Sequence, residues 1–140
     1  MELEQKIVDL LREYANGNID DEEKITAALR TLDVDFDDYC DLHALAAAVE
    51  YFRADEPPTA NTIRRAAQVV QNGDYLFSEY ASDYEDVGYM FFNQKCQKAV
   101  LMYLPDWLEH YIDFEALGED VAEHGEFTSY GFFAPDEGSF

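Results

Sequence analysis

The sequence predicts an α+β protein, in which a small helical bundle precedes an α+β part with a small antiparallel sheet. Apolar residues recur at helical spacing through the first 72 residues, and Gly, Asn and Pro separate the periodic segments. After residue 73, two short segments rich in aromatic residues are typical of strands. A chain of 140 residues is long enough for one domain or two very small ones. We therefore expect domains at 1–72 and 73–140.

Two helices are predicted before residue 33. The first has an apolar stripe from Leu3 to Tyr14 and ends near Gly17, since glycine accepts the left-handed conformation that follows many helices. The second begins near Asp20, because Asp20 and Glu23 have the spacing of a capping box, with Asp in place of the usual Ser or Thr.

Two further helices complete the predicted bundle. The third runs from about Phe36 to Arg53, where the apolar positions again follow the helical period. Pro57-Pro58 then interrupts the chain. Thr59 is the expected N-cap of the fourth helix, which ends before Gly73. Four short helices with short connections are typical of a small bundle.

The pattern changes after residue 73. A strand is predicted from Asp74 to Tyr80, because this segment contains adjacent aromatic residues. Ser82 and Glu85 have capping-box spacing and predict the start of the next helix, which extends to about Phe91.

The remaining segments are predicted with less regular patterns. Gln94 to Met102 fits either a helix or a loop. Pro105 suits the first turn of a helix, and Asp113 is the expected cap of another. A second strand is predicted from Glu126 to Phe133, and the residues after it are expected to be loosely held.

The charge of the chain is its strongest sequence feature. It has 31 acidic and nine basic residues, a formal charge of −22, yet 15% of its residues are aromatic. Disordered acidic segments contain few aromatic residues, so we expect a folded protein. The charge excludes a predominantly basic nucleic-acid-binding surface and disfavours an anionic membrane as partner. It favours a basic partner, although an acidic surface can also serve solubility alone.

The acidic residues are concentrated in two stretches that lack lysine and arginine. Residues 99–140 contain ten acidic residues, and residues 66–94 contain five. These residues lie between the apolar positions of the predicted helices, which places them on outer faces. Because B-DNA carries one charge per ~1.7 Å, the net charge corresponds to about 37 Å of duplex, or roughly 11 base pairs.

A calcium loop is the first chemical site to consider. Asp33, Asp35 and Asp37 alternate as at the start of an EF-hand loop. The sixth position, however, is Asp38 instead of Gly, and the twelfth is Ala44 instead of a bidentate Glu. We therefore interpret this segment as an acidic loop that caps the third helix.

A transition-metal site and an active site are equally unsupported. Cys40 and His43 have a spacing that allows metal binding on one helix face, but Cys96, His110 and His124 complete no recognisable motif. A buried cysteine and a core histidine are the preferred interpretation. No nucleophile elbow or phosphate loop occurs, so we expect neither enzymatic activity nor a cofactor.

Trp107 lies in a dense apolar cluster with Leu104, Leu108, Tyr111 and Ile112. Core packing is the first interpretation of such a cluster. Part of it also fits a dimer interface, where aromatic residues are enriched.

The compartment follows from what the sequence contains. The start of the chain has no basic region followed by an apolar run, as a signal peptide would. No segment has the ~20 apolar residues of a membrane span. Two cysteines form no disulfide framework, so we expect a cytoplasmic protein.

The second half resembles the ArdA antirestriction proteins. The resemblance is carried by LMYLPDWLEHYIDFEALGEDVAEHGEFT, Leu101 to Thr128, and upstream by NGDYLFSEYASDYEDVG, Asn72 to Gly88. The first segment is similar to the antirestriction motif of that family and its continuation. Together the similar segments cover about residues 59–133, and we expect this chain to lack the additional N-terminal domain that is common in the family.

The resemblance implies a non-enzymatic DNA mimic. Members of that family imitate the phosphate backbone with carboxylates, occupy the DNA groove of Type I restriction-modification enzymes and form dimers through the C-terminal domain. The implied dimer or motif region comprises Leu104, Pro105, Trp107, Tyr111 and Ile112. The implied mimic surface comprises Asp83, Glu85, Asp86, Asp106, Glu109, Asp113, Glu115, Glu119, Asp120 and Glu123.

The partner expected from this resemblance is a Type I restriction-modification complex, with no direct binding of nucleic acid or membrane. Two alternatives stay open. In the first, the chain is a DNA mimic directed at another DNA-binding defence enzyme, such as a CRISPR effector. In the second, it is an acidic protein-interaction module without mimicry.

Overall fold

A computed structural model describes residues 2–19, 22–36, 41–53, 57–96 and 106–136 of the chain. The fold is α+β, as the sequence predicts. The described residues contain the helices α1 (Glu2–Ala15), α2 (Glu22–Arg30), α3 (Leu42–Arg53), α4 (Ala60–Asn72), α5 (Tyr84–Phe91) and α6 (Phe114–Ala122), and the strands β1 (Tyr75–Ser78), β2 (Glu126–Thr128) and β3 (Gly131–Pro135).

The four helices of the first half are present, and both ends of α4 have clear physical causes. Thr59 caps α4 by accepting a hydrogen bond from the backbone N–H of Thr62, as predicted. Gly73 ends α4 in a left-handed conformation, and its N–H donates to backbone carbonyls of the last turn. The predicted cap of the second helix, Asp20, lies outside the described residues.

The prediction for the start of the third helix was wrong. α3 begins at Leu42, not near Phe36, because the Asp41 carboxylate accepts hydrogen bonds from the backbone N–H groups of His43 (2.9 Å) and Ala44 (3.2 Å). Phe36 is instead a buried core residue that precedes the helix. Asp41 therefore caps the helix in place of the earlier aspartates that resemble a calcium loop.

The three strands form one antiparallel sheet in the order β1-β3-β2. β1 is shorter than predicted, since the chain turns at Glu79 and Tyr80. The single strand predicted from Glu126 to Phe133 was also wrong. The segment is a hairpin that turns at Ser129 and Tyr130.

Residues 134–136 are held more firmly than predicted. Ala134 and Pro135 are buried and pair with Leu76 and Tyr75 of β1. The backbone N–H of Asp136 then donates a hydrogen bond to the carbonyl of Asp74 (2.7 Å). Residues 137–140 lie outside the described part of the chain.

The sheet lies between two apolar cores because side chains alternate along a strand. Phe133 is fully buried in the core formed by α1–α4, where its ring lies 5.6 Å from that of Tyr51. The preceding Phe132 and the following Ala134 belong to a second core with α5 and α6. A strand buried on both faces has a continuous apolar run, which explains the residues of β3.

The two halves of the chain are in direct contact. The carboxylate of Glu50 in α3 accepts two hydrogen bonds from Ser129 in the hairpin, from the backbone N–H (2.8 Å) and from the hydroxyl (2.7 Å). Phe133 places a strand residue of the second half in the core of the first. The division into domains 1–72 and 73–140 stays a prediction.

The second half differs from its predicted local structure in two places. α5 is capped by Asp83 and not by Ser82, and Asp86 instead of Glu85 reaches back to Ser82. The segment that fits a helix or a loop begins with a π-helical turn, Phe92–Cys96, and residues 97–102 lie outside the described part. A 3-10 helix, Asp106–Tyr111, follows the predicted helix start at Pro105, a residue that is itself not described.

None of the helices in the described ranges combines the length and apolar character that a bilayer crossing requires.

Candidate acidic interaction surface

The candidate surface is built on α5 and α6, whose backbones are in direct contact. A Cβ atom on Gly118 would lie 1.6 Å from the carbonyl oxygen of Tyr84, and one on Gly88 would lie 1.9 Å from that of Phe114. The start of each helix therefore meets the middle or end of the other, so the helices run in opposite directions. The ring of Phe114 is buried and stacks on Tyr89 at 3.9 Å between ring centroids. Only glycine at both crossings allows this approach.

The acidic side chains of this helix pair lie on the surface away from the second core. Two apolar residues, Val87 and Val121, face that core and are buried. The predicted residues that are exposed in α5, α6 and their caps are Asp83, Glu85, Asp113, Glu115, Glu119, Asp120 and Glu123. These exposed carboxylates are carried by two helices whose backbones touch, and we call the set the α5–α6 acidic surface.

Three of the predicted residues also stabilise the helices that carry them. The Asp83 carboxylate accepts a hydrogen bond from the backbone N–H of Asp86 (2.8 Å), and the Asp113 carboxylate accepts one from Ala116 (3.1 Å). Asp86 is half-buried and accepts hydrogen bonds from the N–H and the hydroxyl of Ser82, both at 3.1 Å. Negative charge at a helix N-terminus is also favoured by the helix dipole.

The two roles of Asp113 can be separated by substitution. We expect Asp113→Ala to lower the free energy of unfolding by about 1 kcal/mol, because the cap is lost, and Asp113→Asn to leave stability nearly unchanged. Urea denaturation monitored by circular dichroism measures both. Equal stability of the Ala and Asn variants would contradict the capping role.

The predicted dimer or motif region is only partly within the described structure. Trp107 and Tyr111 are 59% and 79% exposed and form a T-shaped pair at 5.9 Å between ring centroids. Ile112 is half-buried. Leu104 and Pro105 lie outside the described residues. The first interpretation of Trp107 and Tyr111 as core residues was therefore wrong, because both rings lie on the surface.

Two predicted carboxylates, Asp106 and Glu109, belong to the 3-10 helix that carries Trp107 and Tyr111. Their side chains lie outside the described part of the structure. Their backbone positions place them in the same short segment as the exposed aromatic pair.

Sequence reasoning missed a group of exposed aromatic residues beside the acidic surface. Tyr80 is 83% exposed, Tyr84 44% and Phe127 41%, and the rings of Tyr84 and Phe127 lie 6.1 Å apart. The signal was available in part, because Tyr80 and Phe127 each follow an acidic residue at the end or start of a predicted strand. The pattern predicts strands there but does not show which rings stay uncovered.

His43 was interpreted as a core residue, and the structure places it at a half-buried position between two carboxylates. Its Nδ1 lies 3.9 Å from the carboxylate of Asp41, and its Nε2 lies 3.8 Å from that of Glu79. Glu79 also accepts a hydrogen bond from the phenol of Tyr80, and this bond together with the negative charge raises the pKa of Tyr80. Among the described residues, no group of three or more His, Cys, Asp or Glu is arranged to hold a metal.

A cleft of about 370 Å³ lies between α1, α3 and the hairpin turn. Burial raises the pKa of Tyr130 in this cleft, and the nearby charge of Glu50 raises it further, whereas Arg12 and Arg53 lower it. The cleft therefore mixes both signs of charge, unlike the α5–α6 acidic surface.

Comparison of the chain with known protein families, curated proteins and solved structures gave no significant similarity.

Proposed function

We propose that this protein is a non-enzymatic, cytoplasmic DNA mimic that occupies the DNA-binding groove of a Type I restriction-modification enzyme. The observation that carries the proposal is the α5–α6 acidic surface. Its exposed carboxylates belong to stretches of sequence that contain no lysine or arginine. Ordinary soluble surfaces mix both signs of charge, whereas a surface of one sign attracts a cleft of the opposite sign. The resemblance of Leu101 to Thr128 to the antirestriction motif supports the choice of target.

The mechanism of such an inhibitor is competitive and needs no chemical step. The carboxylates take the lysine and arginine contacts that DNA phosphates make, so the mimic and DNA exclude each other from one groove. Charges held on two helices in backbone contact keep their spacing, which lowers the cost of ordering them on binding. The binding strength falls as salt rises, because exposed charges are screened.

Dimer formation is part of the proposal. The exposed Trp107 and Tyr111 are large, rigid side chains of the kind enriched at protein–protein interfaces. A dimer joined through the 3-10 helix would double the acidic surface and so cover a longer stretch of a DNA groove.

The test is a competition assay with a Type I methyltransferase complex and a labelled DNA duplex that carries its recognition site. We expect this protein to displace the duplex at low salt. We also expect its own Kd for the enzyme, obtained from the displacement after the Kd of the duplex is measured at each salt concentration, to rise between 50 and ~300 mM salt. A neutral protein of similar size serves as the control. Absence of displacement at the lowest salt contradicts the proposal for that enzyme, and the same assay with a CRISPR effector tests the alternative target.

An acidic protein-interaction module is the second candidate, and the exposed aromatic group favours it. Tyr80, Tyr84 and Phe127 present ring faces beside the carboxylates, whereas the outer surface of a DNA duplex presents phosphates and sugars. A basic protein that binds tightly without any DNA-binding activity of its own would favour this candidate over mimicry.

A further inference from the structure

The exposed aromatic group borders a cleft that the proposed mimicry does not use. The cleft has a volume of about 620 Å³ and lies between the turn after β1 and the β2–β3 hairpin. Its lining residues include Tyr80, Phe127 and Glu79, together with the hydroxyl-bearing residues Ser82 and Thr128. An apolar wall with a few converging polar groups is the usual construction of a binding site.

Two aromatic residues of the cleft are also exposed to solvent. Tyr80 is 83% exposed and Phe127 is 41% exposed, although both line the cleft. Phe127 is fixed from behind, because its ring lies 5.3 Å from that of the fully buried Phe132 and 6.1 Å from that of Tyr84. A ring held in this way is preorganised to stack on a flat group.

The carboxylate of Glu79 lies 3.8 Å from Nε2 of His43, which also lines the cleft. Negative charge therefore belongs to the same cleft as the two aromatic residues. Aromatic faces carry negative electrostatic potential, so both kinds of group favour a cation.

The aromatic residues and the carboxylate of the cleft favour one of the two side-chain cations, the guanidinium of arginine over the ammonium of lysine. A guanidinium is planar, weakly hydrated and able to stack on a ring while it donates hydrogen bonds to a carboxylate. An ammonium is a compact, strongly hydrated charge and gains less from a ring face. A phosphate backbone offers no ring face and attracts both cations by charge.

We propose that this cleft binds the arginine side chain of a basic partner, stacked on Tyr80 and Phe127 and paired with Glu79. The proposal rests on the proposed function in one respect, that the partner of this protein is basic. It adds that the cleft binds arginine more tightly than lysine. Mimicry of phosphate charge alone does not give this preference.

The experiment measures the binding of two fluorescent peptides, octa-arginine and octa-lysine, by anisotropy at ~100 mM salt. The quantity of interest is the ratio of the Kd for octa-lysine to the Kd for octa-arginine. We expect Tyr80→Leu and Phe127→Leu each to lower this ratio about threefold, chiefly by weakening octa-arginine, because a ring–cation contact at an exposed site has about this effect. Glu79→Gln is expected to weaken octa-arginine more than Glu123→Gln, which removes the same charge from α6.

Tyr89→Leu is the matched aromatic control, since Tyr89 is 39% exposed, close to the 41% of Phe127, and does not line the cleft. Tyr80→Leu removes a ring that is mostly in solvent, so the test does not depend on Phe127→Leu keeping its contact with Phe132. The proposal is overturned if Tyr80→Leu keeps the wild-type ratio, or if Tyr89→Leu lowers the ratio as much as Tyr80→Leu does.

The result is independent of the result for DNA displacement. Displacement of DNA by wild type together with an unchanged ratio in Tyr80→Leu refutes the arginine cleft and leaves the mimic intact. A lowered ratio in Tyr80→Leu without displacement of DNA supports the cleft and contradicts the mimic.

Discussion

Gly118→Ala is expected to lower the free energy of unfolding by about 3 kcal/mol, at the upper end of the usual cost of overpacking. The added Cβ would stand 1.6 Å from the carbonyl oxygen of Tyr84 and 2.9 Å from the backbone nitrogen of Gly88. Both neighbours are backbone atoms of a helix, so neither can turn away as a flexible side chain does. Relief requires α5 and α6 to separate. Urea denaturation followed by circular dichroism gives the change.

The control is Gly17→Ala, because Gly17 has nothing within 4 Å of an added Cβ and only its left-handed backbone, φ 77°, is disfavoured. We expect that variant to lose about 1 kcal/mol. In an open helix, Gly→Ala stabilises by nearly 1 kcal/mol. A stability of Gly118→Ala equal to or above wild type would therefore show that the two helices do not touch through their backbones.

Removing four charges from α6 and its C-cap is expected to raise the concentration for half-maximal DNA displacement at least about fourfold, since each exposed ion pair contributes roughly 0.2–1 kcal/mol. The variant combines Glu115→Gln, Glu119→Gln, Asp120→Asn and Glu123→Gln. All four side chains are exposed, so the fold should be retained. The dependence of displacement on salt should become shallower, because fewer ion contacts form. Each single substitution should shift displacement by less than about fivefold, because charge is shared among many carboxylates.

A charge-matched control separates the location of these charges from the total. Glu22→Gln, Glu23→Gln, Asp33→Asn and Asp35→Asn remove four exposed charges from the first half of the chain. We expect that variant to displace DNA nearly as well as wild type. If both sets weaken displacement equally, total charge and not the α5–α6 acidic surface is responsible. A single substitution in α6 that abolishes displacement, with the fold retained, would contradict the distributed surface.

Helix positions were predictable where a local signal and the apolar period agree. Thr59 and Gly73 delimit α4, and Asp113 caps α6, as expected from their residue types. The start of α3 was misplaced because the apolar pattern continues back to Phe36. A buried residue before a helix gives the same pattern as one inside it, and Asp41 competes with the earlier aspartates as cap.

The hairpin was harder to predict because one of its strands, β3, is the central strand of the sheet and is buried on both faces. Phe132 and Phe133 are adjacent, so the run has no alternation of polar and apolar residues that would mark a face or a turn. The turn at Ser129 and Tyr130 is held by local hydrogen bonds of the Thr128 hydroxyl and also by contacts from elsewhere in the fold, the hydrogen bonds from Ser129 to Glu50. Contacts between residues far apart in sequence leave little local signal.

The candidate surface, like the fold, could be predicted from the sequence only in part. The sequence by itself determined the sign and concentration of the charge, because stretches without lysine or arginine are acidic in any fold. It also determined that Asp113 caps α6, since the cap is local. Only the tertiary structure decided that α5 and α6 touch at Gly88 and Gly118, and so bring the acidic residues of two separate segments onto adjacent helices.

The tertiary structure also decided which aromatic residues remain in solvent. Phe132 and Phe127 both belong to aromatic segments, yet the first is fully buried and the second is 41% exposed. The physical reason is that burial depends on which elements cover a residue. Charge is a property of the residue itself, whereas exposure belongs to the packed chain.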